Sequence, residues 1–164
     1  MDAALRFFDI LKTLAHYGVE FILVGGVAAI LEGAPVSTFD LDVMVRPTPE
    51  DRDRLLEALR ELNARYLDPA GRQIFPDRER LDTLRIHRLV TDAGPMDVLE
   101  QIGKDLTYAD LVEKTEIYEI DGLSIRTLRL EMIIRSKEEA NRDKDQATLP
   151  ILRRTLLLKS GGGQ

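Results

Sequence analysis

A chain of 164 residues, 44% of them hydrophobic, can bury a sizeable core in one domain and is too apolar to be disordered. It has no cysteine and only two histidines, His16 and His87. That excludes disulfides and argues against thiolate or His-rich metal sites, so any metal must be held by oxygen, as magnesium, manganese and calcium are. The net charge of −6 is not that of a general nucleic-acid binder.

The charge is uneven along the chain. Arg72, Arg78, Arg80, Arg85 and Arg88 crowd the middle, and Arg135, Lys137, Arg142, Lys144, Arg153 and Arg154 crowd the end. A local basic groove and two solvated faces are equally open readings of this pattern. No signal peptide is visible, and no apolar run approaches the roughly 20 residues that span a bilayer. A cytoplasmic protein without membrane association is expected.

Leu5, Phe8, Leu11, Leu14 and Ala15 recur at helical spacing, which predicts a helix over residues 2–17, stopped by Gly18. Residues 21–24, Phe-Ile-Leu-Val, read as a buried strand. The pair Gly25-Gly26 ends it, and residues 27–31 read as a short helix. Residues 40–45, Asp-Leu-Asp-Val-Met-Val, alternate as a strand, and Pro47 and Pro49 break it. An amphipathic helix is expected over 50–62, then a loop over 68–82, rich in Pro, Gly, Arg and Asp. Strands follow at 84–90 and 96–99, with a turn at 92–95, then a short helix at 108–112. Asp121-Gly122 predicts a hairpin turn between 116–120 and 123–126. Residues 128–158 read as helix in two pieces. The expected organisation is a single α/β (α+β) domain over 1–158, with a flexible tail at 159–164. Its small mixed sheet would be flanked by helices and followed by a helical C-terminal portion.

Three features carry chemistry. Asp40 and Asp42 stand at i and i+2 of a strand, so they project on one face, roughly 6.5–7 Å apart at the backbone. Two such carboxylates repel each other and lose solvation if partly buried, and a divalent cation between them removes both penalties. Asp97, flanked by apolar Met96 and Val98, is a third strand-borne acid. Together the three suit an oxygen-only site for magnesium or manganese. Gly25-Gly26 sits where a strand hands over to a helix. There the absence of side chains lets a phosphate approach the backbone N–H groups. A tight turn explains the pair equally well when it is taken alone.

The string Val24-Gly25-Gly26, followed by Ser37-Thr38-Phe39-Asp40-Leu41-Asp42-Val43, resembles the signature of the polymerase-beta-like nucleotidyltransferase superfamily, with Asp97 matching its third acid. Residues 136–145 are similar to a helix motif of the abortive-infection-type (type IV toxin-antitoxin) nucleotidyltransferases and their single-domain relatives. The resemblance covers residues 21–152. It departs at Val36, where relatives often carry arginine. It implies the nucleotidyltransferase fold and transfer of a nucleoside monophosphate from an NTP. Asp40, Asp42 and Asp97 would be the metal ligands and catalytic acids, with Asp97 as general base. Gly25, Gly26, Ser37, Thr38 and Lys137 would hold the triphosphate. Arg142, Lys144 and Asp145 would either continue the site or brace the C-terminal helices. The acceptor stays open among RNA, protein and small molecule, and an antitoxin partner is implied by the resemblance alone. A non-catalytic nucleotide- or partner-binding module and a two-metal nuclease are the competing readings. His87 reads as a surface histidine, and His16 as a partner of the first helix's C-terminal dipole.

Overall fold

The computed structural model describes residues 3–161. In chain order they form α1 (Ala3–His16), β1 (Phe21–Val24), α2 (Gly25–Leu31), β2 (Leu41–Val45), α3 (Pro49–Glu61), β3 (Arg65–Tyr66), α4 (Arg78–Thr83), β4 (Ile86–Thr91), β5 (Gly94–Leu99), α5 (Tyr108–Leu111), β6 (Thr115–Ile120), β7 (Leu123–Leu128), α6 (Leu130–Ala140) and α7 (Asp143–Gly161). The strands make one mixed sheet of order β3-β4-β5-β2-β1-β7-β6. The β2–β5 and β1–β7 pairs are parallel, and the others are antiparallel.

Strict alternation fixes the register of the central strands. Leu41, Val43, Met96 and Val98 are fully buried on one face of β2 and β5, and Asp42 and Asp97 project on the other. A one-residue slip would drive both aspartates into the core and expose these apolar side chains, forfeiting about 1.5–3 kcal/mol for each. Helix α1 packs on α3 and reaches β5, whereas α2 packs on β1, β2 and α6. Helices α6 and α7 pack against each other, with Asn141 between them in the left-handed conformation that ends α6.

Buried Glu32, just past α2, ties these helices together. Its carboxylate accepts from the Leu130 N–H at the start of α6 (2.8 Å) and from the Tyr118 hydroxyl, and it pairs with Lys159 near the end of α7 (3.4 Å). That anchor accounts for one departure from expectation. Residues 159–161 continue α7 instead of beginning a loose tail, and the remainder of that tail, residues 162–164, lies outside the described residues, as does residue 2 of the first helix.

Two further elements were not expected. The segment 68–82 is not all loop: α4 starts inside it, capped by the Asp77 side chain, which accepts from the Arg80 N–H at 2.8 Å. Strand β3 is two residues long and pairs at the edge with β4. At the hairpin, Asp121 and Gly122 both take positive φ, as a two-residue turn of this kind requires. Among the described residues no helix is long and apolar enough to cross a membrane.

Candidate active site

One level of the sheet carries a row of four paired residues. Val24 on β1 faces Asp42 on β2, Asp42 faces Asp97 on β5, and Asp97 faces Arg88 on β4. Residues paired in this way share a face, on strands about 4.8 Å apart. Asp40, two positions before Asp42, adds an exposed third carboxylate at the mouth of the strand. Asp42 and Asp97 are half-buried. Burial, followed by the charges of Asp97 and Asp40 and the hydrogen bond to Asp97, pushes Asp42 up to about 7. Asp97 is also raised, first by burial. Arg88, the hydrogen bond with Asp42 and Lys144 favour its anion, while Asp40 opposes it. The two carboxyls therefore titrate as a pair, above the usual carboxylate range.

The glycine pair shapes this arrangement from the side. Gly25 has φ +69°, and a Cβ there would lie 2.0 Å from the Asp42 carboxylate oxygen. A Cβ on Gly26 would lie 2.6 Å from Thr38 Cβ. The first demand on both glycines is thus internal: they let Asp42 and Thr38 close on the start of α2. Thr38 in turn donates its hydroxyl to the Asp40 carbonyl (3.1 Å) and holds the turn leading into β2. Among the described residues, no side chain caps the N-terminus of α2.

The facing wall is cationic and comes from α6 and α7. Asp145, fully buried, accepts from Arg142 Nε (2.8 Å) and from the Arg142 backbone N–H (3.1 Å), and lies 3.4 Å from Lys137 Nζ. Burial pushes Asp145 up, but the Arg142 hydrogen bonds and both cationic charges carry it below the usual carboxylate range. Arg142 therefore both braces the helices and faces the site. Lys144 has no ion-pair partner among the described residues and favours the anionic forms of Asp42 and Asp97.

Between these walls lies a cleft of about 520 Å³. Gly25, Gly26, Ser37, Thr38, Asp40, Asp42, Asp97 and Lys137 all line it, together with Val36, Arg142 and Lys144. Arg88 and Ile86 of β4, Leu99 of β5 and residues 101–103, where Gly103 lies against Ser136 of α6, also line it. Those residues were not singled out from sequence. The available signal was the alternation of β4, in which Ile86 and Arg88 share a face opposite His87. His87 is not a surface residue: it is 1% exposed, and Nδ1 meets the Tyr66 hydroxyl at 2.7 Å. His16 is exposed in the last turn of α1.

Among the described residues, no three Asp, Glu or His side chains are already gathered tightly enough to hold an ion. The donor set nonetheless suits a hard divalent cation, because it is all carboxylate, and the charge of Asp40 raises the pKa of both Asp42 and Asp97, as that of Asp97 does for Asp42. That is the same repulsion that a cation would relieve.

Three solved structures resemble this one. The Thermotoga maritima protein TM1012, provisionally assigned as a nucleotidyltransferase, matches with a TM-score of 0.53 and 16% identity over 88% of this chain and 90% of that one. The antibiotic-resistance factor ANT(2'')-Ia in solution matches with a TM-score of 0.60 and 15% identity, over 95% and 86% of the two chains. The chain has the nucleotidyltransferase fold. A crystal structure of ANT(2'')-Ia in complex with adenylyl-2''-tobramycin gives a TM-score of 0.57 and 14% identity, over 97% and 95%. No protein-family model and no curated protein matches the sequence.

Proposed function

We propose that the protein transfers a nucleoside monophosphate from an NTP to an acceptor hydroxyl, with magnesium or manganese held by Asp40, Asp42 and Asp97. The observation that carries this reading is the juxtaposition of Asp42 and Asp97 at one level of the sheet, in a cleft between the glycine turn and a cationic wall. When bound, the metal would supply charge neutralisation at the transferring phosphoryl group.

The chain's own residues have separable tasks. The backbone at Gly25 and Gly26, with Ser37, faces the β- and γ-phosphates. Lys137, Arg142 and Lys144 supply positive charge from the opposite wall, which answers for the arginine that Val36 replaces. Asp97 takes the acceptor's proton. The acceptor oxygen bonds to the α-phosphorus, the bond from that phosphorus to the bridging oxygen breaks, and pyrophosphate leaves with the electron pair.

The test compares wild type with Asp97→Asn for NTP affinity and for transfer. Affinity should change little. Transfer should fall about a hundredfold or more, general-base catalysis alone being worth about 10²–10⁴. Equal transfer rates would remove Asp97 from the reaction. The likeness of residues 136–145 to abortive-infection-type toxins extends the reading to a toxin-antitoxin component. Growth arrest on expression of wild type, but not of Asp42→Asn, tests that extension.

A further inference from the structure

The cleft has a charge pattern that constrains the acceptor. The charged residues lining the cleft are the cations Arg88, Lys137, Arg142 and Lys144 and the acids Asp40, Asp42 and Asp97. Beyond the three acids already assigned to the reaction, no carboxylate among the described residues lines it. The nearest acid along β5, Glu100, is 5% exposed and bound to Arg52 at 3.1 Å and Arg85 at 3.5 Å, so its charge is already answered. A polyamine acceptor such as an aminosugar would meet cations here, with no free counter-charge.

Arg88 stands at the other extreme. It is exposed, lines the cleft, and forms no ion pair among the described residues. It is paired in register with Asp97, one strand further from the nucleotide wall. Ile86, two positions before it on β4, and Leu99 on β5 also line the cleft and bring no charge, so Asp97 is the acid that its guanidinium faces. Strand spacing puts its Cα about 5 Å from that of the proposed base. A group held by Arg88 would therefore be attached close to the hydroxyl that Asp97 deprotonates.

Resting on the nucleotidyl-transfer reading, we infer that Arg88 is the acceptor-selecting residue and that the acceptor carries a phosphate beside its reactive hydroxyl, in contrast to a polycationic aminosugar. A planar guanidinium engages phosphate with two parallel hydrogen bonds, which gives orientation as well as charge. The phosphate could belong to a nucleic-acid backbone or to a small phosphorylated sugar, and the two sources are separated below.

The test is calorimetric binding to the full chain, saturated with magnesium and a non-hydrolysable NTP analogue. Four probes are compared with tobramycin: ribose 5-phosphate, ribose, a short oligoribonucleotide, and the same oligonucleotide with a neutral methylphosphonate backbone. A phosphate-bearing probe should bind roughly ten- to a hundredfold more tightly than its neutral counterpart, the range of one charge-assisted contact. Preference within the ribose pair identifies a small phosphorylated acceptor, and preference within the oligonucleotide pair identifies a nucleic acid. Arg88→Gln should erase the preference, Arg88→Lys should restore part of it, and both variants should bind the NTP analogue as wild type does. Equal binding of charged and neutral probes, tighter binding of tobramycin, or a preference that survives in Arg88→Gln overturns the inference while leaving the nucleotidyl-transfer reading intact. Absence of NTP-analogue binding to wild type overturns both.

Discussion

Asp42 and Asp97 face each other across a parallel strand pair with their carboxyls in hydrogen-bonding reach; burial raises the pKa of both, and the charge of Asp97 raises that of Asp42 further. A divalent cation bound there should stabilise the fold by RT ln(1 + [M]/Kd). At a hundred times its Kd the gain is about 2.7 kcal/mol, or about 5–10 °C in Tm for a chain of this size. In the Asp42→Asn, Asp97→Asn double variant that shift should vanish. In chelator the double variant should melt at or above wild type, by about 1 kcal/mol or more, because a half-buried pair of like charges has been removed. A double variant that keeps the full magnesium shift would show that these acids are not ligands.

Gly25 gives a sharper test of the same geometry. Alanine there needs a positive φ and puts its Cβ where the Asp42 carboxylate lies. Gly25→Ala should destabilise the protein by about 2–4 kcal/mol in urea unfolding and blunt the magnesium response by displacing Asp42. Gly26→Ala should act through Thr38 and the turn at Asp40 instead. If Gly25→Ala unfolds at the wild-type midpoint and responds fully to magnesium, the glycine does not shape the acid site.

The shared face of Asp42 and Asp97 follows from a strand's period of two, whereas Asp40, expected on the same strand, lies in the bend just before β2. Each acid also interrupts an otherwise apolar segment. Arg88 was not legible. It is one of several arginines between residues 72 and 88, and its face depends on the pairing of β4 with β5, which the Asp92-Ala93 turn sets. His87, expected at the surface, is buried for the same reason, since the face it takes is decided by the neighbouring strand and by Tyr66. The loop at 68–82 hid α4 behind its Pro and Gly content, although Asp77 with Glu79 in the turn that follows is a workable cap signal. For Arg142 and Lys144 the sequence left two roles open. Arg142 braces the helices through buried Asp145 and also lines the cleft.

Asp145 should therefore matter to nucleotide binding without touching nucleotide. Asp145→Ala releases Lys137 and Arg142, and Arg142, half exposed, can turn into solvent. The stability cost should be about 2–3 kcal/mol, below the 3–5 of a fully buried pair because its cations reach water. The KM for NTP should rise several-fold while kcat at saturation moves less. An unchanged KM in a folded variant would show that Asp145 serves the helix packing alone.

His87 sets a pH dependence that can be separated from that of the acids. Burial lowers its pKa, against the opposing pull of Glu100 and of a hydrogen bond to the Leu84 backbone; Arg52 lowers it further. The folded state thus keeps His87 neutral where the unfolded chain begins to protonate it, below the ordinary histidine value of about 6.5. The unfolded state then binds more protons, so this group's contribution to stability is full above pH 6.5 and is lost as pH falls below it. The slope approaches 1.4 kcal/mol per pH unit. Asp42 acts in the opposite sense. Its raised pKa means that the folded state holds a proton the unfolded chain has released, so in chelator its contribution declines as pH rises from about 4 towards 7. Urea unfolding between pH 5 and 8 in chelator should therefore give a flattened profile for wild type. His87→Gln, which can still hydrogen-bond Tyr66, should remove the acid-side loss and leave stability falling steadily with pH. Asp42→Asn should do the reverse and leave stability rising with pH up to about 6.5. Parallel profiles for wild type and His87→Gln would show that the buried imidazole takes up its proton as readily in the folded protein as in the unfolded chain.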